Sequence, residues 1–473
     1  MFGALSLLLL PTAVAQVCDQ VYPHLNAGLT TTSKDSCASH GCCWDDSAGS
    51  CFVPKINGYK YTEQHKDDAS FGGDLVLNAP SGAFGADFEN LSVEFTQETA
   101  NRMHMKISPA EGGRWEVPDS ILPRPGGTSN VRDSTMAVNI IEDPFQFAIR
   151  RSKSTQDLFY MSKMLVFQDQ YIQFVLGTPK NTVATFGFGE STRHTQQLNV
   201  NSTYSMWATD YAAAGFDESL YGSHPFFLQV LDDGTAHGAF ILNSNAMEAS
   251  VHHDDSGGQG DTIGVQLTGG IIDMYFFSGD SPADVVKYYQ EVVGRPMLQP
   301  YWSLGFHNCK WGYTGLDEVQ EVVANYSAAG IPLETQWLDI DYMDRYKDFT
   351  LDPKNFPAEG MQSFVSELKK NGQHFVPIVD PGIYSVQEEQ PYDALVKGLE
   401  QDVFIKDLTG ANYLGQVWPG NTYFPDWFAT NATSYWTEQL VQFHDLLAYS
   451  GLWIDMNEVS NFCNNDGMSQ TCV

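Results

Sequence analysis

The chain has 473 residues, enough for about three domains, each with its own core. Its 58 acidic against 25 basic residues give a formal net charge of −33, which excludes nucleic acid as the main partner because phosphate backbones are bound through Lys and Arg. Charged residues are only 18% of the chain and aromatics 13%, a balance suited to surfaces that stack against neutral ligands. The first element is a leucine-rich run at 5–10, followed by Ala13-Val14-Ala15, an A-x-A pattern that fits signal peptidase. Residues 1–15 are therefore expected to be a cleaved signal peptide. The alternative is a buried strand, since no Lys or Arg precedes the run. No later segment approaches 18 uninterrupted apolar residues, so no transmembrane segment is expected. Sequons at Asn90, Asn201, Asn325 and Asn431 fit a glycoprotein of the secretory pathway.

Five of the eight cysteines, Cys18, Cys37, Cys42, Cys43 and Cys51, fall in the first 51 residues among Gly, Ser, Asp and Asn. So short a segment buries little apolar area, and disulfides are expected to hold it together. The run Cys37-x4-Cys42-Cys43-Trp44-x6-Cys51-Phe52 resembles the P-type, or trefoil, module over 17–53. That resemblance implies that Cys37, Cys42, Cys43 and Cys51 are bridged. A trefoil uses six cysteines, so five leave one thiol unpaired or one bridge absent. A zinc site is disfavoured by the adjacent pair Cys42-Cys43 and by the missing C-x2-C spacing.

From 54 to 297 short alternating or β-branched runs at 75–77, 91–95, 145–149, 165–176, 226–231 and 271–277 are separated by Gly, Asn, Asp and Pro. That rhythm predicts an antiparallel β-sandwich. From 298 the period changes. Strands are predicted at 302–307, 333–341, 374–380 and 452–458, and helices at 317–329, 361–371 and 434–449, the alternation of parallel βαβ units. The predicted strands end in polar residues: His307, Asp339 with Asp341, Asp380, and Asp455 with Glu458. In a (β/α)8 barrel those ends line the active-site face. Any one Asp could instead cap the next helix. Four successive ends of this kind, with Trp311, Trp337, Trp418 and Trp453 near them in sequence, fit a sugar site better, where rings stack on pyranose faces and acids do the chemistry.

Competing motifs are incomplete. Residues 339–344 lack the central Gly and closing Glu of an EF-hand, and Gly187-Phe188-Gly189 lacks the third glycine of a dinucleotide loop. No G-x-S-x-G or H-E-x-x-H occurs. Neither a metal nor a cofactor is expected.

The segment 453–458 (WIDMNE), continuing Val459-Ser460-Asn461-Phe462, resembles the nucleophile signature of the retaining α-glucosidases of glycoside hydrolase family 31. Segments 221–227 (YGSHPFF), 237–247 (HGAFILNSNAM), 337–344 (WLDIDYMD), 379–381 and 417–420 (VWPG) agree with it in order, so the resemblance covers about 55–473. It is to the secreted and lysosomal members rather than the α-xylosidase branch. The resemblance implies a multidomain chain: the small disulfide trefoil, a galactose-mutarotase-like β-sandwich over 54–297, and an incomplete (β/α)8 TIM-type barrel of about four strands over 298–473. It also implies an exo-acting enzyme that removes terminal α-1,4-linked glucose from maltose, oligosaccharides, starch or glycogen, in a secreted, lysosomal or vacuolar setting.

Carried over residue by residue, Asp455 is the nucleophile, and Glu458 stands in the same catalytic signature, where with Asp380 it orients the site. Asp339 is expected to bond the glucose hydroxyls farthest from the scissile bond. Trp311, Ile340, Ile378, Trp418, Trp453, Met456 and Phe462 are expected to shape the pocket, and Asp210, in the insertion 207–215, to reach the aglycone side. The family takes its acid/base aspartate from a strand after the nucleophile strand, so the chain is expected to be part of a longer polypeptide and not to hydrolyse α-glucosides alone. The other function class left open is a noncatalytic carbohydrate-binding protein. Cys463 and Cys472, separated by eight residues rich in Asn, Asp and Gly, are expected to form a disulfide.

Overall fold

The computed structural model describes residues 34–35, 43–46, 50–52 and 58–462, the last stretch without 82–84, 153, 155, 162–164, 210–214, 217 and 254–259. The expected signal peptide and Cys37, Cys42, Asp210, Cys463 and Cys472 lie outside the described residues. Cys43 and Cys51 belong to a short antiparallel hairpin, Cys43–Asp45 with Ser50–Phe52, in which Trp44 is opposite Cys51. The chain divides into two compact units, Met1–Arg295 and Pro296–Val473.

In the first unit two eight-stranded antiparallel sheets form. Alternation turns one face of several strands to the core, whereas Ile172–Gly177, Ala236–Ile241 and Ile272–Gly279 are buried along their whole length. Asn90–Thr99 alternates the buried apolar side chains Leu91, Val93 and Phe95, Arg102–Pro109 alternates Met103, Met105 and Ile107, and Phe145–Arg151 alternates Phe145, Phe147 and Ile149. These faces meet through rings: Phe95 lies edge-on to Phe147 at 5.5 Å, and Phe159 is 5.0 Å from Phe276. Each fully buried Phe contributes about 1.5–3 kcal/mol of hydrophobic stabilisation. The helix Pro282–Val293 places Val285 and Val292 against Phe226, Phe240, Tyr275 and Phe277. The sequence reading is corrected at 165–176, predicted as one strand. It is a tight hairpin of Val166–Phe167 with Ile172–Gly177, because the polar residues Gln168-Asp169-Gln170 turn the chain and the Gln168 amide bonds the Tyr171 carbonyl at 2.8 Å.

The second unit alternates strands and helices: β1 (His307–Asn308), α1 (Leu316–Ala328), β2 (Thr335–Leu338), α2 (Ala358–Lys370), β3 (His374–Val379), α3 (Asp393–Glu400), α4 (Ala432–Leu446) and β4 (Trp453–Ile454). The four strands are parallel in the order β1-β2-β3-β4. In α2 the buried residues Met361, Phe364, Val365 and Leu368 recur at helical spacing and pack on Phe375 and Ile378 of β3. Two lysines, Lys369 and Lys370, occupy its last turn, and Gly372 (φ 74°) follows Asn371 in the left-handed conformation that ends such a helix. A three-stranded antiparallel insert, Ile383–Tyr384, Gly420–Tyr423 and Gly415–Val417, stands apart from the parallel sheet. Its hairpin loop is Trp418-Pro419, closed by Gly420 at φ 104°. No helix among the described residues is long and apolar enough to cross a membrane.

Two expectations are corrected here, and one element is added. Residues 302–307 are not a strand: Tyr301–Leu304 is a 3-10 turn, and His307 opens β1 instead of closing a strand. Its ring accepts the Trp337 indole N–H at 2.8 Å and meets the Ser303 carbonyl at 3.1 Å, a structural pairing. The predicted strand 452–458 is extended only over Trp453–Ile454, because Met456 takes φ 61° and breaks the run. Helix α3 was missed. Its eight residues, Asp393–Glu400, bury Ala394, Leu395 and Gly398, a pattern too short to separate from a loop.

Candidate functional site

Directly after β2, β3 and β4 come Asp339, Asp380 and Asp455, which brings three carboxyls together at one end of the parallel sheet. Asp339 and Asp455 are held alike. Each turns Oδ1 back onto the next amide, Ile340 N–H at 2.7 Å and Met456 N–H at 2.9 Å. For Asp339 this is also the cap of the 3-10 turn Ile340–Tyr342, so the capping alternative is true of one of its oxygens. Burial raises the Asp339 carboxyl above its usual range, and the like charges of Asp341 and Asp455 add to this. Asp341 serves a different end: its Oδ2 accepts the Gly312 amide at 2.6 Å.

Asp380 is the most enclosed of the three, 5% exposed, and among the described residues neither of its carboxyl oxygens has a hydrogen-bond partner. Burial, followed by the charges of Asp455, Asp339 and Glu458, pushes it up to about 7. Glu458 is half-buried and faces this group from the turn after β4. Acids that cannot all be ionised together, gathered at the ends of parallel strands, are the arrangement of a reactive site rather than of a stabilising one.

Beside the acids the aromatic side chains gather. Trp311, which follows β1, lies 5.9 Å from Trp418 at the tip of the antiparallel insert, and Trp418 lies 5.0 Å from Phe462 at 82°. The Trp418 indole N–H donates to Met456 Sδ at 3.0 Å, which links this cluster to the residue next to Asp455. Trp311, Trp418 and Phe462 are all exposed. Ile340 and Ile378, by contrast, are each 2% exposed and belong to the core beneath. Trp453 packs at 5.6 Å on Trp337, on the side of the His307 pairing. The site therefore joins Trp311, Trp418, Met456 and Phe462 to the acids, while Ile340, Ile378 and Trp453 support it from below.

Sequence reasoning missed Asp348. It is 1% exposed and accepts the Asp380 amide on Oδ1 at 3.0 Å, and burial with the nearby Asp380 raises it well above the carboxylate range. It sits on a backbone segment in which Arg345, Tyr346 and Phe349 all have left-handed φ, between 53° and 62°. Each such residue costs on the order of 1–3 kcal/mol. No spacing rule links residues 32 apart. Among the described residues no group of three or more His, Cys, Asp and Glu is arranged to hold a metal ion.

Two family models match the chain: the glycosyl hydrolases family 31 TIM-barrel domain over 296–472 and the glycosyl hydrolase 31 N-terminal galactose mutarotase-like domain over 89–249. A probable alpha-glucosidase of Oryza sativa subsp. japonica is 42% identical over 80% of the chain and 44% of its own length. The alpha-glucosidase of Hordeum vulgare is 38% identical over 81% and 45%. Alpha-xylosidase 1 of Arabidopsis thaliana is 36% identical over 88% and 47%. The chain thus spans about half the length of the curated relatives it matches. Among solved structures, an α3-Glc2-bound glucosidase II alpha subunit superposes with a TM-score of 0.76 at 18% identity, covering 91% of this chain and 54% of that one, a likeness of fold.

Proposed function

The chain belongs to glycoside hydrolase family 31, and from that premise we propose that it is the nucleophile-bearing part of a retaining, exo-acting α-glucosidase acting on terminal α-1,4-linked glucose. The observation that carries this reading is the joining of Asp339, Asp380 and Asp455, at three successive strand ends, to the wall of Trp311, Trp418 and Phe462. A glucose unit is held with its ring against the aromatic side chains and its far hydroxyls on Asp339. Asp455 Oδ2 attacks the anomeric carbon as the glycosidic C–O bond breaks, which forms a β-glucosyl ester. A second carboxylic acid protonates the departing oxygen, then takes a proton from the water that hydrolyses the ester and releases α-glucose. Retention requires the two carboxyls to be about 5–5.5 Å apart. The family resemblance assigns this acid to a later barrel strand, so in this reading the activity belongs to a longer polypeptide.

The reading extends to a signal peptide at 1–15, a P-type trefoil over 17–53, Asp210 on the aglycone side, and a Cys463–Cys472 bridge, in a glycosylated protein of the secretory pathway. The Asn sequons support the glycosylation, the Cys spacing the trefoil and the bridge, and the leucine run with Ala13-Val14-Ala15 the signal peptide, while Asp210 rests on the family resemblance. The test is made on the polypeptide that carries this chain and its continuation, with maltose and an aryl α-glucoside as substrates and a fluorinated glucosyl trap as label. Glucose release with the label on the Asp455 peptide is expected. Sugar binding without turnover or labelling would make the protein a carbohydrate-binding relative, and a label on Asp339 or Glu458 would move the nucleophile.

A further inference from the structure

Asp348 and Asp380 are both buried, at 1% and 5% exposure, and among the described residues no lysine, arginine or histidine pairs with either. The cation next in sequence, Lys347, is committed elsewhere: its Nζ lies 2.9 Å from Asp344 and 3.0 Å from Glu388. Among the described residues the titratable groups that act on the two are acids and phenols. The charges of Asp339, Asp455 and Glu458 act on Asp380, and the phenols of Tyr342, Tyr392 and Tyr435 lie within electrostatic reach of Asp348 while donating to the Ile378, Asp348 and Ala394 carbonyls. Two buried carboxylates without a cation cannot both be ionised, because desolvation and mutual repulsion act in the same direction.

The chain is constrained to put Asp348 there. Arg345, Tyr346 and Phe349 hold left-handed φ around it, and the distortion is pinned from outside by Arg345 Nη1 on Glu388 at 2.7 Å and by the Tyr392 hydroxyl, which donates to the Asp348 carbonyl at 3.1 Å. From inside, the Asp348 carboxyl accepts the Asp380 amide and so fixes the turn that leaves β3. A strained segment that delivers one buried acid to another is a sign of a functional constraint.

We propose that Asp348 is a positioning residue for Asp380: it anchors the Asp380 amide, and the two carboxyls together retain one proton at neutral pH, so that one negative charge rather than two faces Asp455. A neutral carboxyl in the pair supplies a hydrogen-bond donor beside carboxylates, which can only accept. The part this plays in the reaction rests on the α-glucosidase reading; the retained proton does not.

The experiment is an infrared pH titration of the whole chain, which follows the carbonyl stretch of protonated carboxyl groups. Wild type should keep one protonated carboxyl at neutral pH. Asp348→Asn, which preserves a carbonyl acceptor for the Asp380 amide, should lower the pH at which the last carboxyl proton is lost by about one unit or more. Asp380→Asn removes the repulsion from the other side and should also lower it, which covers the case of an Asp348 variant that does not fold. The absence of a protonated carboxyl at neutral pH in wild type, or a midpoint unmoved in the folded variants, overturns the proposal. Glucose release by wild type in the longer polypeptide is scored separately, so failure of the α-glucosidase reading is seen there and failure of the proton pair in the infrared midpoint.

Discussion

At the scale of single residues, charge state decides what each acid can do. Asp455 has one oxygen on the Met456 amide, which leaves Oδ2 for chemistry. Asp455→Asn in the longer polypeptide should reduce turnover by about 10⁴-fold or more, since an amide cannot form the glycosyl ester, while sugar binding is reduced far less. Retained turnover with unchanged labelling would remove Asp455 from the role. A second prediction concerns His237, which is fully buried between the sheets of the first unit, with Nε2 on Gln229 at 2.9 Å and burial pushing it down to about 3. The unfolded histidine binds its proton near pH 6.5, so between about pH 6.5 and 3 the unfolded state binds more protons than the native one. Stability of the first unit should therefore fall as pH drops through this window, by at most about 1.4 kcal/mol per pH unit from this group. Urea unfolding of wild type and His237→Gln across that range would check it, with a shallower pH slope expected in the variant.

At the scale of elements, alternation and capping explain most of what forms. Phe276 is fully buried and touches Phe147 and Phe159 across the sandwich at 6.0 and 5.0 Å. Phe276→Ala should cost about 3–5 kcal/mol, read from the urea midpoint. Ser281 caps the helix Pro282–Val293: its Oγ accepts the Asp284 amide at 3.3 Å and donates to Asp284 Oδ2 at 2.8 Å. Ser281→Ala should cost about 1 kcal/mol, and no loss of stability would show the cap to be redundant. These elements were legible because their signals are local: Leu91, Val93 and Phe95 alternate, and Met361, Phe364, Val365 and Leu368 recur every three or four residues. The 165–176 hairpin was not, since its turn residues Gln168-Asp169-Gln170 include no Gly, Pro or Asn to mark a reversal.

At the scale of the whole molecule the charge of −33 makes self-repulsion a general load on the folded state. Added sodium chloride up to about 0.15 M, where the screening length is about 8 Å, should raise the thermal midpoint. Scanning fluorimetry in a salt series tests this, and a flat or falling midpoint would show that the acids are already neutralised locally. The buried pair Asp348 and Asp380 is consistent with local neutralisation at one site, by a proton instead of a cation.

The sequence by itself determined the order of a β-rich region followed by βαβ units, the family, and the standing of Asp339, Asp380 and Asp455 at strand ends, because periodicity and an uninterrupted motif such as WIDMNE are properties of neighbouring residues. Only the tertiary structure decided that Trp418, from an antiparallel insert, and Met456 would meet, that His307 would pair with Trp337, and that Asp348 would lie beneath Asp380. Those contacts join residues between 30 and 38 positions apart. Such pairings are set by strand register and by the desolvation that folding imposes, and neither is visible in a local pattern of residue types.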